Sequence, residues 1–320
     1  MTRLQEIPAD RYVAEVLPLT APIWSAGRDL PAYVADTLDV ARSAYGRRHY
    51  RTFGLYEGKR LVASFKRYER VVRDGTRRLR AVGIGAVFTP EHLRGRGYAS
   101  AMLAMQLDRA REAGYDLAYL FSDVNPQFYA LLGFTELPSR HIALRADALP
   151  SARLPVSVLR PADWPGVRRC FDLCERHRTA GFARTPPVWE WIRLRMRQRS
   201  KRESGQETNL VIRRGRGVGA YVLGVRDVER DTYSLQEFAF ADVEAAAMIP
   251  SLLRAAAGDL RRIAGWLPPN GARELLPRGT VRKRRTSILM AAPLSREGSG
   301  LVRRFASGTT GDPCWASEHV

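Results

Sequence analysis

AVGIGAVFTPEHLRGRGYASAML, residues 81–103, joins an apolar run to a glycine-rich loop, and that loop to an amphipathic helix. Every residue from Ala81 to Val87 is small or β-branched, as in a strand buried on both faces. The loop Arg94-Gly95-Arg96-Gly97-Tyr98-Ala99 opens directly into a helix over residues 98–113. Ala99, Leu103, Leu107 and Ala110 line one side of it, and Gly114 is its stop. Glycines let the main chain turn and approach a ligand closely, and successive N–H groups then point at it. The positive end of the helix dipole favours a phosphate there. Arg94 and Arg96 can add charge-assisted hydrogen bonds. The pattern GxxxxGK[ST] is absent and the glycine spacing is not GxGxxG, which argues against an ATP or NAD loop.

Working outward, residues 30–45 read as a helix, and Arg51–Tyr56 and Leu61–Val72 as strands joined through the glycine-bearing turn Glu57-Gly58-Lys59-Arg60. Leu79–Thr89 is the third strand, and the chain before Leu30 reads as irregular. After the helix come a strand at Leu117–Ser122, a short helix at Gln127–Leu132 closed by Gly133, and strands at Phe134–Leu137 and Ile142–Arg145. The order predicts an α/β domain with a central mixed sheet over residues 1–150. A linker is expected at Leu149–Leu154. The second half repeats the rhythm over residues 155–293, which points to an internal duplication: strands at Val156–Leu159, Asn209–Arg213, Val218–Arg226, Tyr233–Ala241 and Thr286–Ala292, and helices at 164–177, Val188–Gln198 and Met248–Ile263. The tail, 294–320, is rich in glycine and serine and is expected to lack regular structure, although Cys314-Trp315 near its end should dock somewhere.

A chain of 320 residues suits two domains, and no stretch approaches the roughly 20 apolar residues that span a bilayer. The first residues lack a secretory pattern, so the expected address is the cytoplasm. Three cysteines, Cys170, Cys174 and Cys314, are too few for a disulfide framework. Cys170, Cys174 and His177 share a helical face, but no fourth ligand is evident and no metal is expected. The net charge is +19, and 48 of the 52 basic residues are arginine. That favours anionic partners such as CoA phosphates. Nucleic acid is less favoured, because the basic residues are spread along the chain; Arg282-Lys283-Arg284-Arg285 reads as solvated surface.

A strand, an RxxGxA loop and a helix resemble the pyrophosphate-binding segment of the GNAT N-acetyltransferases, whose pattern is [QR]xxGx[GA]. The same superfamily carries, a strand and a turn further on, a segment ending FYxxxGF, and here Phe128 to Phe134 supplies it in order. The resemblance covers residues 1–150 and implies acetyl-CoA as co-substrate. It implies that the main chain of Val87, Phe88 and Thr89 pairs with the pantetheine arm. It assigns the pyrophosphate to the amides of Arg94, Gly95, Arg96, Gly97, Tyr98 and Ala99, with Ser100 at the helix start. It makes Tyr129 the general acid for the departing thiolate. Glu57, Glu69 and Glu237 are open as bases.

Where the second half should carry a phosphate loop it reads Asp242-Val243-Glu244-Ala245-Ala246-Ala247, with no glycine and two carboxylates. An active first domain beside a degenerate second one is similar to the enhanced-intracellular-survival group of bacterial acetyltransferases. In that group the terminal carboxylate acts as base, which would fall to Val320 here. The group's third, sterol-carrier-like domain is too large for the residues left, so the resemblance is partial. Two functions follow as expectations: N-acetyl transfer from acetyl-CoA to a primary amine of a small molecule or lysine, or a CoA-sensing or nucleic-acid-binding regulator that keeps the fold.

Overall fold

The computed structural model describes residues 1–176, 178–202, 205–215, 217–269, 273–277, 279–308 and 312–319. The chain runs β1 (Thr2–Ile7), α1 (Ala9–Glu15), α2 (Leu17–Trp24), α3 (Leu30–Arg42), α4 (Ala44–His49), β2 (Tyr50–Glu57), β3 (Arg60–Asp74), β4 (Arg77–Phe88), α5 (Tyr98–Glu112), β5 (Leu117–Ser122), α6 (Pro126–Ala130), β6 (Thr135–Glu136) and β7 (Arg140–Arg145). It continues β8 (Val156–Val158), α7 (Trp164–Glu175), β9 (Ala180–Phe182), α8 (Pro186–Arg202), β10 (Gln206–Glu207), β11 (Leu210–Arg214), β12 (Gly217–Asp227), β13 (Thr232–Phe240), α9 (Val243–Ala257), β14 (Arg262–Trp266), β15 (Thr280–Lys283), β16 (Ile288–Pro293) and α10 (Arg296–Ala306).

Two mixed sheets result. The first has the order β1-β2-β3-β4-β5-β16-β6, and the second β8-β11-β12-β13-β14-β7-β15. Position by position the two orders match, and each contains one parallel pair at the same place, β4 with β5 and β13 with β14. The duplication is therefore present in the fold.

The sheets do not divide at residue 150, however. Strand β7, read from sequence as the last strand of the first unit, pairs with β14 and β15 of the second sheet. Strand β16, read as the closing strand of the second unit, pairs with β5 and β6 of the first. The halves thus exchange one strand each, and β9 adds to β3 of the first sheet beyond the end of β2. Such pairings bury apolar strands equally well in either sheet, and a local pattern does not say which.

Three other expectations change. The start is ordered, β1 pairing with β2. The helix expected at Met248–Ile263 ends at Ala257, because Gly258 turns the chain (φ +60°) into β14. The tail forms α10, whose Leu301, Val302 and Phe305 pack on the first sheet beside Leu289 and Ala291. Cys314 and Trp315 are buried, as expected of that end; Trp315 meets Phe238 edge-on at 5.1 Å. His177 and Val320 lie outside the described residues.

Strand β4 is apolar throughout its buried half for a packing reason. Met102, Leu103 and Leu107 of α5 join Val82 and Ile84 in one core, while Ala81 joins Tyr119 and Phe182 in another. At Gly83 a Cβ would come within 2.6 Å of the Tyr119 ring, so the strand has no side chain there. Among the described residues no helix is long and apolar enough to cross a membrane.

Candidate active site

Beyond the pair Ile84–Leu120, β4 and β5 part company. On its other edge β4 carries a bulge: Ser64 faces Phe88 and Lys66 faces Gly85, leaving Ala86 in a left-handed conformation (φ +50°). The bulge tilts Gly85–Phe88 away from β5, and the gap becomes a cavity of about 410 Å³. Gly85, Ala86 and Val87 form one wall, Phe121, Ser122 and Asp123 the other, and Phe128 and Tyr129 close one end. Helices α2 and α3 add Trp24, Tyr33 and Asp36.

The edge of β4 that faces this gap has no ladder partner past Ile84, so the main chain of Val87 and Phe88 is available to an extended ligand. Thr89 Oγ1 and Ser122 Oγ are buried without a hydrogen-bond partner, and Ser122 lines the cavity. Phe88 is fixed by the edge of Trp24 at 6.3 Å.

A few residues on, the loop ends at α5. Gly95 and Gly97 both adopt positive φ, 76° and 78°, and Gly97 serves as N-cap with no side chain to accept the helix's first amides. The first helical bond is that of Ala101 N–H to Gly97 O at 2.9 Å, so the amides of Tyr98, Ala99 and Ser100 precede the ladder. A Cβ placed on Gly95 or Gly97 would meet nothing within 4 Å, which leaves open space above the turn. Arg94 Nε reaches Thr89 O at 3.4 Å. The Tyr98 hydroxyl donates to Glu57 Oε2 at 3.1 Å, which places Glu57 at this loop and not in the cavity. A helix mouth of this kind can receive an anion, and an unpaired strand edge an extended chain.

Residues 31–137 match the family model of the acetyltransferase (GNAT) domain. They are a GNAT domain. No curated protein matches the sequence. Among solved structures the chain is similar to a probable N-acyltransferase from Enterococcus faecalis V583, at 15% identity, TM-score 0.73, and 93% and 74% coverage of this chain and that one. It is also similar to a GCN5-related N-acetyltransferase from Kribbella flavida (18% identity, TM-score 0.69, 93% and 73% coverage). A third is Eis1 from Mycobacterium abscessus (14% identity, TM-score 0.59, 92% and 74% coverage). At these identities the shared property is the fold, which spans both sheets, two mixed α/β units of like strand order. Acyl transfer is the chemistry to which the GNAT domain points.

Within the GNAT domain, Tyr129 sits on α6, whose N-cap Asn125 accepts from Phe128 N at 3.2 Å. Phe128 and Phe134 flank its ring at 5.0 and 6.1 Å. Burial, and secondarily the charge of Asp123, push its phenol up to about 12. The hydroxyl therefore keeps its proton throughout the neutral range. Glu69 and Glu237 do not enter the cavity. Glu69 pairs with Arg67 at 2.9 Å. Glu237 is fully buried, taking Arg184 Nη1 and Nη2 at 3.0 and 2.7 Å and the hydroxyls of Tyr221 and Ser317.

Sequence reasoning passed over two carboxylates that do line the cavity. Asp36 pairs with Arg28 at 2.9 Å. Asp123 accepts from Ser287 N and Oγ at 2.9 and 3.1 Å. The available signal was the position of Asp123 at the end of the strand before the tyrosine helix. The tail contributes as well: His319 lines the cavity, its ring edge-on to Phe121 at 4.7 Å.

Proposed function

We propose that this protein transfers an acetyl group from acetyl-CoA to a primary amine by direct attack in a ternary complex. The observation that carries the reading is the coincidence of an uncapped helix mouth at α5, an edge of β4 without a ladder partner past Ile84, and a protonated tyrosine at the end of the cavity beside that edge. In this reading the amides of Arg94 to Ala99, with Ser100, hold the diphosphate. The main chain of Val87, Phe88 and Thr89 pairs with the pantetheine arm, and the thioester lies in the gap between β4 and β5.

The amine nitrogen attacks the thioester carbonyl carbon and the carbon–sulfur bond breaks. Tyr129 gives its proton to the leaving thiolate, a role for which a phenol that stays neutral is suited. The ammonium form of the acceptor must first lose a proton. Asp123, in the same cavity, is the described carboxylate best placed to hold and accept it. The resemblance to the enhanced-intracellular-survival group assigns that task instead to the carboxylate of Val320, and its neighbour His319 in the cavity wall supports keeping that assignment under test.

A free-thiol assay of acetyl-CoA against a panel of amines tests the reading, with Tyr129→Phe as control. Amine-dependent thiol release that falls in the variant is expected. Release that never exceeds acetyl-CoA hydrolysis, in a protein that binds CoA, would overturn it. Asp123→Asn and removal of Val320 alone then separate the two bases, since the true base is the one whose loss flattens the rise of rate with pH.

A further inference from the structure

Beside the catalytic cavity lies a second, of about 630 Å³, against the first half of β13 and the length of β14. Its lining is strongly basic. Arg199, which bonds Gln236 and His319, lines it with Arg230 and Arg262, and among the described lining residues the one carboxylate is Asp227, which pairs with Arg230 at 3.5 Å. Behind the wall, the Arg284 guanidinium stacks on Trp266 at 3.5 Å, with Nε and Nη1 buried and without a partner. An arginine keeps its charge wherever it is placed, so this buried cation adds to the positive field of the cavity.

Three features tie the second cavity to the first. His319 lines both, and its ring meets Phe121 of the first at 4.7 Å and Trp266 of the second at 5.5 Å. Ser287, in the wall of the second, donates to Asp123 in the wall of the first. Helix α8 passes both, presenting Arg195 to the first and Arg199 to the second. Four residues of helix rise about 6 Å, one turn, so the two cavities are neighbours along it. The charges differ across this boundary. On the Tyr129 side the carboxylates Asp36 and Asp123 offset Arg28, Lys66 and Arg195, whereas on the other Asp227 alone among the described lining residues offsets three arginines.

We infer that the acceptor is a small amine whose far end carries an oxyanion, carboxylate or phosphate, seated among Arg199, Arg230 and Arg262 while its amino group meets Asp123 and Tyr129. The inference rests on the acyl-transfer reading for the amino end, and on the second cavity alone for the oxyanion. A polycation is the disfavoured acceptor, because the second cavity would repel its distal ammonium.

Matched straight-chain acceptors of four to eight carbons test it: an ω-amino acid, an ω-aminoalkyl phosphate, an alkylamine and a diamine of each length. Thiol release should favour one or both anionic series over the alkylamine at least tenfold in kcat/KM, with the diamine slowest, and the better of the two names the oxyanion. The double substitution Arg230→Ser, Arg262→Ser should bring that ratio to about one. Both side chains are exposed, so the variant should fold, which its melting temperature reports. Calorimetry of the same anionic amines on the CoA-loaded protein supplies the second readout. Binding in the parent that is lost in the double variant, with no transfer to any amine, would sink acyl transfer and leave the cavity assignment standing. Equal transfer to all four series, or an anionic preference that survives the double substitution, would overturn the cavity assignment and leave acyl transfer standing. Absence of both binding and preference would overturn it too.

Discussion

Helices α5 and α9 occupy equivalent places in the two sheets, each following the first strand of the parallel pair, yet their mouths are opposite in character. At α5 the cap is Gly97 in a left-handed turn, with free space above it and no side chain on the first amides. At α9 the cap is Asp242, whose carboxylate accepts from Ala245 N at 2.8 Å while Arg214 binds Asp242 at 2.9 Å and also reaches Glu244. One helix end leaves its positive pole for a ligand. The other satisfies it internally. The strand gaps differ in the same sense. Past Ile84–Leu120 the first sheet opens into a cavity, whereas past Leu235–Gly265 the second is covered by the chain's own tail, Trp315 on Phe238 and Ser317 and Glu318 around Arg184 and Glu237. The duplicated fold thus leaves one gap open and fills the other with the tail, which in turn brings His319 to the wall of the first cavity.

The largest effect should come from emptying the filled gap. Trp315→Ala removes a side chain that is 3% exposed, and should cost about 3–5 kcal/mol in urea unfolding. A loss below about 0.5 kcal/mol, the range of surface changes, would mean that the tail merely rests on the second sheet. Next is Tyr129→Phe, which should lower kcat about 100-fold, the scale of a lost general acid, with CoA affinity unchanged by calorimetry. Because the phenol lies near 12, no falling limb from this group should enter the parent's pH–rate profile below about pH 10. Removing the cap of the closed mouth, Asp242→Ala, should cost about 1 kcal/mol of stability without creating a CoA site, since Glu244 and the missing glycines remain. A second bound CoA in that variant would show that the cap alone silences α9. The smallest effect concerns His141, held below its ordinary value by burial and by Arg262 and Arg284. An oxyanion bound in the second cavity should raise it, and the imidazole shifts in NMR titrations would follow.

Much of the first groove was legible in sequence because it is local. Residues 81–134 carry strand, loop, helix, strand and tyrosine helix in unbroken order, each signalled by its own periodicity or glycine. Strand exchange was not legible. Ile288–Pro293 finds Leu117–Ser122 across some 170 residues, and alternation in either segment is silent about its partner. The first helices were hidden by Pro8, Pro18 and Pro22, and α10 by Gly298 and Gly300, residues of low helix propensity. Trp315 betrayed the docked tail, since a large apolar residue in a polar segment needs cover. Asp123 escaped notice because its place in the cavity wall depends on Ser287, far along the chain, meeting it in space.

Calorimetric titration of CoA into the parent, Gly97→Asp and Gly97→Asn tests the contrast between the two mouths most directly. Both substitutions strain the left-handed turn alike, but only aspartate places at α5 the carboxylate that α9 already carries. One CoA per chain is expected for the parent, with affinity reduced at least 100-fold further by aspartate than by asparagine. Two CoA per chain, or equal affinity in the two variants, would contradict the account.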